Sequence, residues 1–162
     1  MTTPNGYWLC KDTEKVCEQS TEEIELFLEV LSLEPRAFVI ENFLSDYEAQ
    51  TIIDTATPKL GKSTVGNAEQ EGKREDRSRT SRNAWVSRDS NSVTDTLFRR
   101  AADVLGMDQS KFVNKPYGNT EDLQVVRYEV GQRYDAHHDW GVNQFKSRSV
   151  NEITIALFLK HF

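Results

Sequence analysis

The stretch 66–83 limits the fold of this chain more than any other feature, because it carries hardly an apolar side chain. Such a segment cannot bury enough apolar surface to hold itself rigid. It therefore predicts a mobile loop and leaves the core to the residues before and after it. The chain has 162 residues, of which 37% are hydrophobic, so one domain with a small core is expected.

Two helices are predicted from their boundary residues. Ser45 and Glu48 match a capping box, in which the two side chains satisfy free amides at the start of a helix, and Pro58 ends that helix. The second helix has N-cap candidates in the run 89–92 and a terminating glycine, Gly106. Its apolar residues recur at helical spacing: Val93, Leu97, Ala101 and Leu105.

Three segments have the length and composition of β-strands: Arg36–Ile40, 123–128 and 153–159. The stretch 21–31 fits a helix and a strand equally well, because its apolar residues satisfy both spacings. The first twenty residues are polar and are expected to be irregular. Helices first and strands last indicate the α+β class, with a β-rich C-terminal part.

Charge and composition exclude two classes of protein. The chain has 20 Lys and Arg against 26 Asp and Glu, a formal net charge of −6, whereas binding along a phosphate backbone needs a basic face. Nucleic acid is therefore not expected as a partner. No apolar run approaches the ~20 residues that cross a bilayer, and the first residues lack the pattern of an export signal. Cys10 and Cys17 lack zinc-site spacing, so they are either free or joined in one local disulfide.

The three histidines, His137, His138 and His161, all lie near the end of the sequence. If the segment 124–140 is extended, the side chains of His137 and Asp139 share one face while His138 points away. One imidazole beside one carboxylate supplies two of the three ligands of a non-haem Fe(II) oxygenase site. The triplet alone leaves two other interpretations open. One is a surface histidine pair beside a solvated aspartate; the other is a hydrolytic zinc site, which lacks a general base at motif spacing.

The residues around this triplet form a longer motif. Tyr128, Gly131, Tyr134, His137 and Asp139 occupy five fixed positions in twelve. This pattern resembles the signature of the Fe(II)- and 2-oxoglutarate-dependent dioxygenases of the prolyl 4-hydroxylase alpha-subunit type. Three other segments are similar to the same family, in the same order: 33–45, 62–65 and 79–85. The resemblance begins near residue 30.

The resemblance implies a fold, a reaction and a set of site residues. The fold is α+β, with N-terminal helices packed on an incomplete double-stranded β-helix, or jelly-roll. The resemblance makes residues 31–162 the N-terminal part of the dioxygenase domain and leaves residues 1–30 as an irregular N-terminal segment of unknown role. The reaction hydroxylates a peptidyl proline with Fe(II), 2-oxoglutarate as cosubstrate and ascorbate. The implied roles are metal ligation by His137 and Asp139, 2-oxoglutarate binding by Tyr128, proximity to the target proline for Tyr134, and peptide contact by Arg79, Ser81 and Trp85.

The sequence departs from the family pattern after Asp139. Family members supply a second histidine and a basic anchor for 2-oxoglutarate from later strands, and this sequence ends at Phe162. His161 is not expected to be the second histidine ligand, because the family continues into a loop at that point, and Phe158 stands where relatives often carry tyrosine. The expectation is therefore a truncated chain that is poorly stable and catalytically inactive.

A non-catalytic function is the alternative. A groove containing Arg79, Trp85 and Tyr134 could hold proline-rich peptides without turning them over, since aromatic grooves recognise polyproline II segments.

The sequence leaves two cellular compartments open. The family resemblance implies the endoplasmic reticulum, whereas the absence of a visible signal peptide favours the cytoplasm.

Overall fold

The computed structural model describes residues 1–11, 16–34, 36–65, 77–113 and 120–137. They divide into two compact units. One unit combines Met1–Leu60 with Ala84–Val125, and the other combines Gly61–Asn83 with the chain from Val126 onward. The first unit contains both helices, and the second contains most of the candidate site residues.

Both predicted helices are confirmed. Helix α1 spans Asp46–Ala56 and has the predicted capping box between Ser45 and Glu48. Helix α2 spans Ser92–Leu105, with Asn91 as its N-cap. Gly106 follows with φ at 63°, the left-handed conformation that a glycine adopts without strain. These boundaries depend on contacts between residues a few positions apart, which is why the sequence predicts them.

The N-terminal part is more regular than expected, and the prediction of an irregular start is wrong. Strand β1 (Thr2–Thr3) pairs with β4 (Ile24–Glu25), and β2 (Trp8–Lys11) pairs with β3 (Val16–Gln19), both antiparallel. Cys10 lies directly opposite Cys17 in the second pair, and a disulfide joins them. Backbone pairing closed by this disulfide gives order to a segment that has few apolar residues.

A third antiparallel pair settles the ambiguity between helix and strand in the stretch 21–31. Strand β5 (Leu28–Leu33) pairs with β6 (Arg36–Ile40), with a register irregularity between Val30 and Ser32. The pairing partner, which lies later in the chain, decides in favour of a strand. The prediction of a strand at Arg36–Ile40 is confirmed.

A buried ion pair lies in the core of the first unit. The guanidinium of Arg100 in α2 donates to both carboxylate oxygens of Glu48 in α1, at 3.0 and 2.9 Å. Arg100 also donates to the backbone carbonyls of Asn5, Gly6 and Phe43. The exposed fractions of the two paired side chains are 0% and 1%. The pair therefore joins both helices to the N-terminal segment, a role that the sequence did not predict for either residue.

Gly6 lies where the chain has no room for a side chain, and its replacement by alanine is expected to destabilise the protein. A Cβ at this position would lie 2.1 Å from the carbonyl oxygen of Ser20 and 2.8 Å from that of Glu22. Because both oxygens belong to the backbone, the chain at Ser20 and Glu22 must move to make room. The expected cost is about 3 kcal/mol, the upper end of typical overpacking. Urea denaturation of Gly6→Ala measures the loss.

Gly61→Ala is the matched control, because a Cβ there meets nothing within 4 Å. Its free energy of unfolding should stay within about 0.5 kcal/mol of the wild-type value. Equal midpoints for the two variants would contradict the close approach at Gly6.

Three further strands form one sheet in the order β7-β8-β9: Gly61–Lys62, Arg82–Val86 and Leu123–Arg127. Strand β9 confirms the prediction for 123–128 to within one residue. The predicted loop 66–83 ends earlier than expected, because Arg82 and Asn83 pair with Lys62 and Gly61. Residues 66–76 of that loop lie outside the described residues.

The described residues confirm the α+β class. They contain two α-helices and small sheets, and no barrel closes among them. The strand predicted at 153–159 lies outside the described residues. Over the same described ranges, neither helix has the length and apolar character needed to cross a membrane.

Candidate metal and peptide site

The candidate site in the second unit is built on two segments that are far apart in the sequence but adjacent in the structure. Arg79 and Tyr134 form an antiparallel bridge. On one side of the bridge, the amide of Thr80 donates to the carbonyl of Arg133 at 2.9 Å, and the hydroxyl of Thr80 accepts from the amide of Arg133 at 2.9 Å. These bonds hold Tyr134 opposite Arg79.

The approach to this bridge is not the continuous strand considered from the sequence. Strand β9 ends at Arg127, and Gly131 follows in a turn with φ at 83°, a conformation that favours glycine. The amide of Gln132 donates to the carbonyl of Glu129 at 2.9 Å across this turn. Gly131 therefore serves the motif by reversing the chain ahead of Tyr134.

Arg79, Tyr134 and His137 form a stack of three side chains, which we call the Arg–Tyr–His stack. The guanidinium carbon of Arg79 lies 4.5 Å from the centroid of the Tyr134 ring. The centroids of the Tyr134 and His137 rings are 3.6 Å apart, with 21° between their planes. Arg79 also donates through Nη1 to the carbonyl of Thr64 at 3.2 Å.

His137 is oriented by its own neighbourhood. Its Nδ1 lies 2.8 Å from the carbonyl oxygen of Asp135. Because a carbonyl only accepts, Nδ1 is the donor, and in a neutral imidazole the lone pair then lies on Nε2. The amide of Asp135 donates to the carbonyl of Ser78 at 2.8 Å, which fixes this peptide segment.

This arrangement fits the side chain of a metal ligand. Metal-bound histidines usually donate from the other ring nitrogen to a carbonyl or carboxylate, which sets the ring orientation. His137 has such a bond, from Nδ1 to the carbonyl of Asp135. Asp139 and His138 lie outside the described residues, and within the described ranges no three His, Cys, Asp or Glu side chains converge on a metal position.

The other predicted site residues of this unit, Tyr128 and Ser81, differ in how far they are exposed. Tyr128 follows β9 and is 50% exposed. Ser81 is buried, with 2% exposure, and its hydroxyl donates to the hydroxyl of Ser63 at 3.0 Å. Binding of 2-oxoglutarate by Tyr128 and peptide contact by Ser81 stay predictions.

Trp85 belongs to the first unit. It lies on β8 between the buried residues Ala84 and Val86, and its own side chain is 42% exposed. Alternation along the strand thus turns the indole away from the core that its neighbours fill. Its contact with a peptide stays a prediction.

Sequence reasoning missed the residues that support His137. Thr80 and Arg133 are 53 positions apart, and no spacing rule links them. Thr64 and Asp135 act through their backbone carbonyls, so side-chain identity gives no signal for them.

Comparison with known proteins identifies the relatives of this chain. It is 34% identical over 137 residues to Prolyl 4-hydroxylase 5 of Arabidopsis thaliana, covering 83% of this chain and 44% of the relative. It is 39% identical over 121 residues to Probable prolyl 4-hydroxylase 3 of the same plant, covering 75% and 39%. Prolyl 4-hydroxylase subunit alpha-2 of Caenorhabditis elegans is 32% identical over 136 residues, covering 81% and 24%. No family model matches the chain.

These relatives are all named as hydroxylases, and their similarity extends over most of the chain. The chain belongs to the prolyl 4-hydroxylase alpha-like family. It spans less than half the length of each of these relatives.

Proposed function

We propose that this chain supplies part of the active site of an Fe(II)- and 2-oxoglutarate-dependent oxygenase that hydroxylates peptidyl proline. The observation that carries the proposal is the bond from Nδ1 of His137 to the carbonyl of Asp135, which leaves Nε2 as the nitrogen suited to a metal. The position of His137 in the family motif supports iron as the metal, and membership of the family supports hydroxylation of proline as the reaction.

Iron would be held by His137 and Asp139, and 2-oxoglutarate would accept a hydrogen bond from the hydroxyl of Tyr128. When bound, the metal and its cosubstrate supply the oxidising chemistry: one atom of dioxygen enters the proline hydroxyl, the other enters succinate, and carbon dioxide is released. Ascorbate is the proposed reductant that returns over-oxidised iron to Fe(II).

The chain's own residues bind and orient the peptide. Tyr134 stacks on His137 and would therefore lie beside the target proline if His137 holds the metal. The guanidinium of Arg79 offers a planar set of donors to peptide carbonyls, and the exposed indole of Trp85 offers an apolar face to a proline ring.

A jelly-roll is the proposed fold of the whole domain, and the β5–β6 hairpin supports it. Leu28, Val30, Phe38 and Ile40 form two adjacent cross-strand pairs on one face of this hairpin. Val30 and Phe38 are 53% and 49% exposed. An apolar sheet face of this kind is suited to packing against a second sheet.

The endoplasmic reticulum is the proposed compartment. The disulfide between Cys10 and Cys17 supports this proposal, since disulfides persist in oxidising compartments and are rare in the cytosol.

Hydroxylation of a peptide tests the proposed function. The longest natural polypeptide that contains this chain is incubated with Fe(II), 2-oxoglutarate, ascorbate and a proline-rich peptide. Mass spectrometry should detect the gain of one oxygen atom on proline, only when both Fe(II) and 2-oxoglutarate are present. Tight binding of the peptide with or without Fe(II), and no hydroxylation, would favour a non-catalytic peptide-binding module instead.

A further inference from the structure

Arg79 has partners within its own unit that the peptide-binding role does not explain. Its guanidinium lies over the ring of Tyr134, and its Nη1 donates to the carbonyl of Thr64. A cation over an aromatic face is attracted to the ring quadrupole. Arg79 therefore holds Tyr134 in two ways: its guanidinium contacts the ring, and its backbone forms the bridge.

His137 is the next residue in the stack, and it needs support because it is exposed. An exposed side chain on an irregular segment samples several rotamers unless contacts select one. The contacts that select one here include the stacking on Tyr134 and the bond to the carbonyl of Asp135. The stacking depends on the position of Tyr134, which the bridge to Arg79 holds.

We propose that Arg79 is a positioning residue for His137, acting through Tyr134. The stack keeps the imidazole ring in the orientation in which Nδ1 donates to the carbonyl of Asp135 and the lone pair on Nε2 suits a metal. A ligand that is already ordered loses less conformational freedom on binding. The proposal depends on the proposed function only in taking His137 as a metal ligand; the effect of Arg79 on the ring is independent of it.

NMR of the metal-free chain tests this effect directly. At pH ~8, where an ordinary imidazole is neutral, long-range proton–nitrogen spectra report which ring nitrogen carries the proton. The wild type should have the proton of His137 on Nδ1, with ring protons shifted upfield by Tyr134. His137→Ala assigns the signals by their loss.

Arg79→Ala should move both signatures towards the values of an unconstrained histidine. Arg79→Gln separates positioning from folding, because glutamine leaves the backbone bridge to Tyr134 in place and keeps a polar side chain but carries no cation for the ring; it should lose most of the upfield shift while circular dichroism stays unchanged. Tyr134→Phe keeps an aromatic face and should retain the shift. Arg82→Ala is the matched control, since this exposed arginine lies on β8 beside the site segment.

Metal affinity gives the second readout, measured by titration of each variant with Co(II) as a stable substitute for Fe(II). Loss of a residue that orients a metal ligand typically weakens binding by about 10–100-fold, and this is the expected effect of Arg79→Gln. If His137 keeps both NMR signatures in Arg79→Gln, the positioning role is overturned. If the signatures are lost but the wild type itself binds no metal, the positioning role stands and the proposed function fails.

Discussion

Replacement of Arg100 by methionine is expected to destabilise the chain by about 3–5 kcal/mol, because it leaves the Glu48 carboxylate buried without its counter-charge. The two side chains have 0% and 1% exposure, so water cannot replace the lost partner. Three backbone carbonyls, those of Asn5, Gly6 and Phe43, lose a donor at the same time. Urea denaturation followed by circular dichroism measures the effect.

Arg99→Met is the matched control on the same helix. Arg99 pairs with Asp95 one turn earlier, at 3.0 Å, with the two side chains 33% and 39% exposed. An exposed pair of this kind contributes about 0–1 kcal/mol. An equal loss of stability in the two variants would show that the ion pair with Glu48 has no special role.

A double variant separates the unpaired charge from the lost packing. Glu48→Gln removes the negative charge and keeps one acceptor oxygen, which can serve the amide of Trp8 or that of Ser45 but not both, because they donate to different carboxylate oxygens. Combined with Arg100→Met, it should recover part of the stability lost in Arg100→Met alone, because no buried charge is then left unpaired.

Replacement of His137 by alanine is expected to lower metal affinity at least about a hundredfold, the upper end of the loss seen when a residue that only supports a ligand is removed. The reason is that the bond from Nδ1 to the carbonyl of Asp135 leaves the metal-binding lone pair on Nε2 of this imidazole. In the longest natural polypeptide that contains the chain, proline hydroxylation should fall with metal binding. Co(II) titration and peptide mass spectrometry measure the two effects.

His138→Ala is the control, since the sequence predicts that neighbouring side chains on an extended segment point to opposite faces. It should retain most of the metal affinity. Retained metal binding in His137→Ala would contradict the assignment of the motif.

The sequence singled out Arg79, Tyr134 and His137 as candidate site residues but did not predict their arrangement. The motif spacing singled out Tyr134 and His137, and the resemblance added Arg79. That these three side chains stack on one another depends on a bridge between segments that are distant in sequence. Ser81 illustrates the same limit, since its burial against Ser63 follows from the neighbouring chain and not from its own type.

The N-terminal part shows how a distant partner overrides a local pattern. The stretch 21–31 satisfied both periodicities, and pairing with β6 made the second half of it a strand. Cys10 and Cys17 were compatible with two free thiols or one disulfide, and the register of the hairpin, which puts them opposite each other, decided for the disulfide.

The sequence by itself determined the features whose partners lie within one or two turns: the capping box at Ser45 and Glu48, an N-cap within the run 89–92 and the terminating glycine Gly106. Their free energy comes from hydrogen bonds that any chain with these residues can make locally. Only the tertiary structure decided that Glu48 also meets Arg100, 52 positions away. A buried charge needs a partner, and which residue supplies it depends on how the whole chain packs.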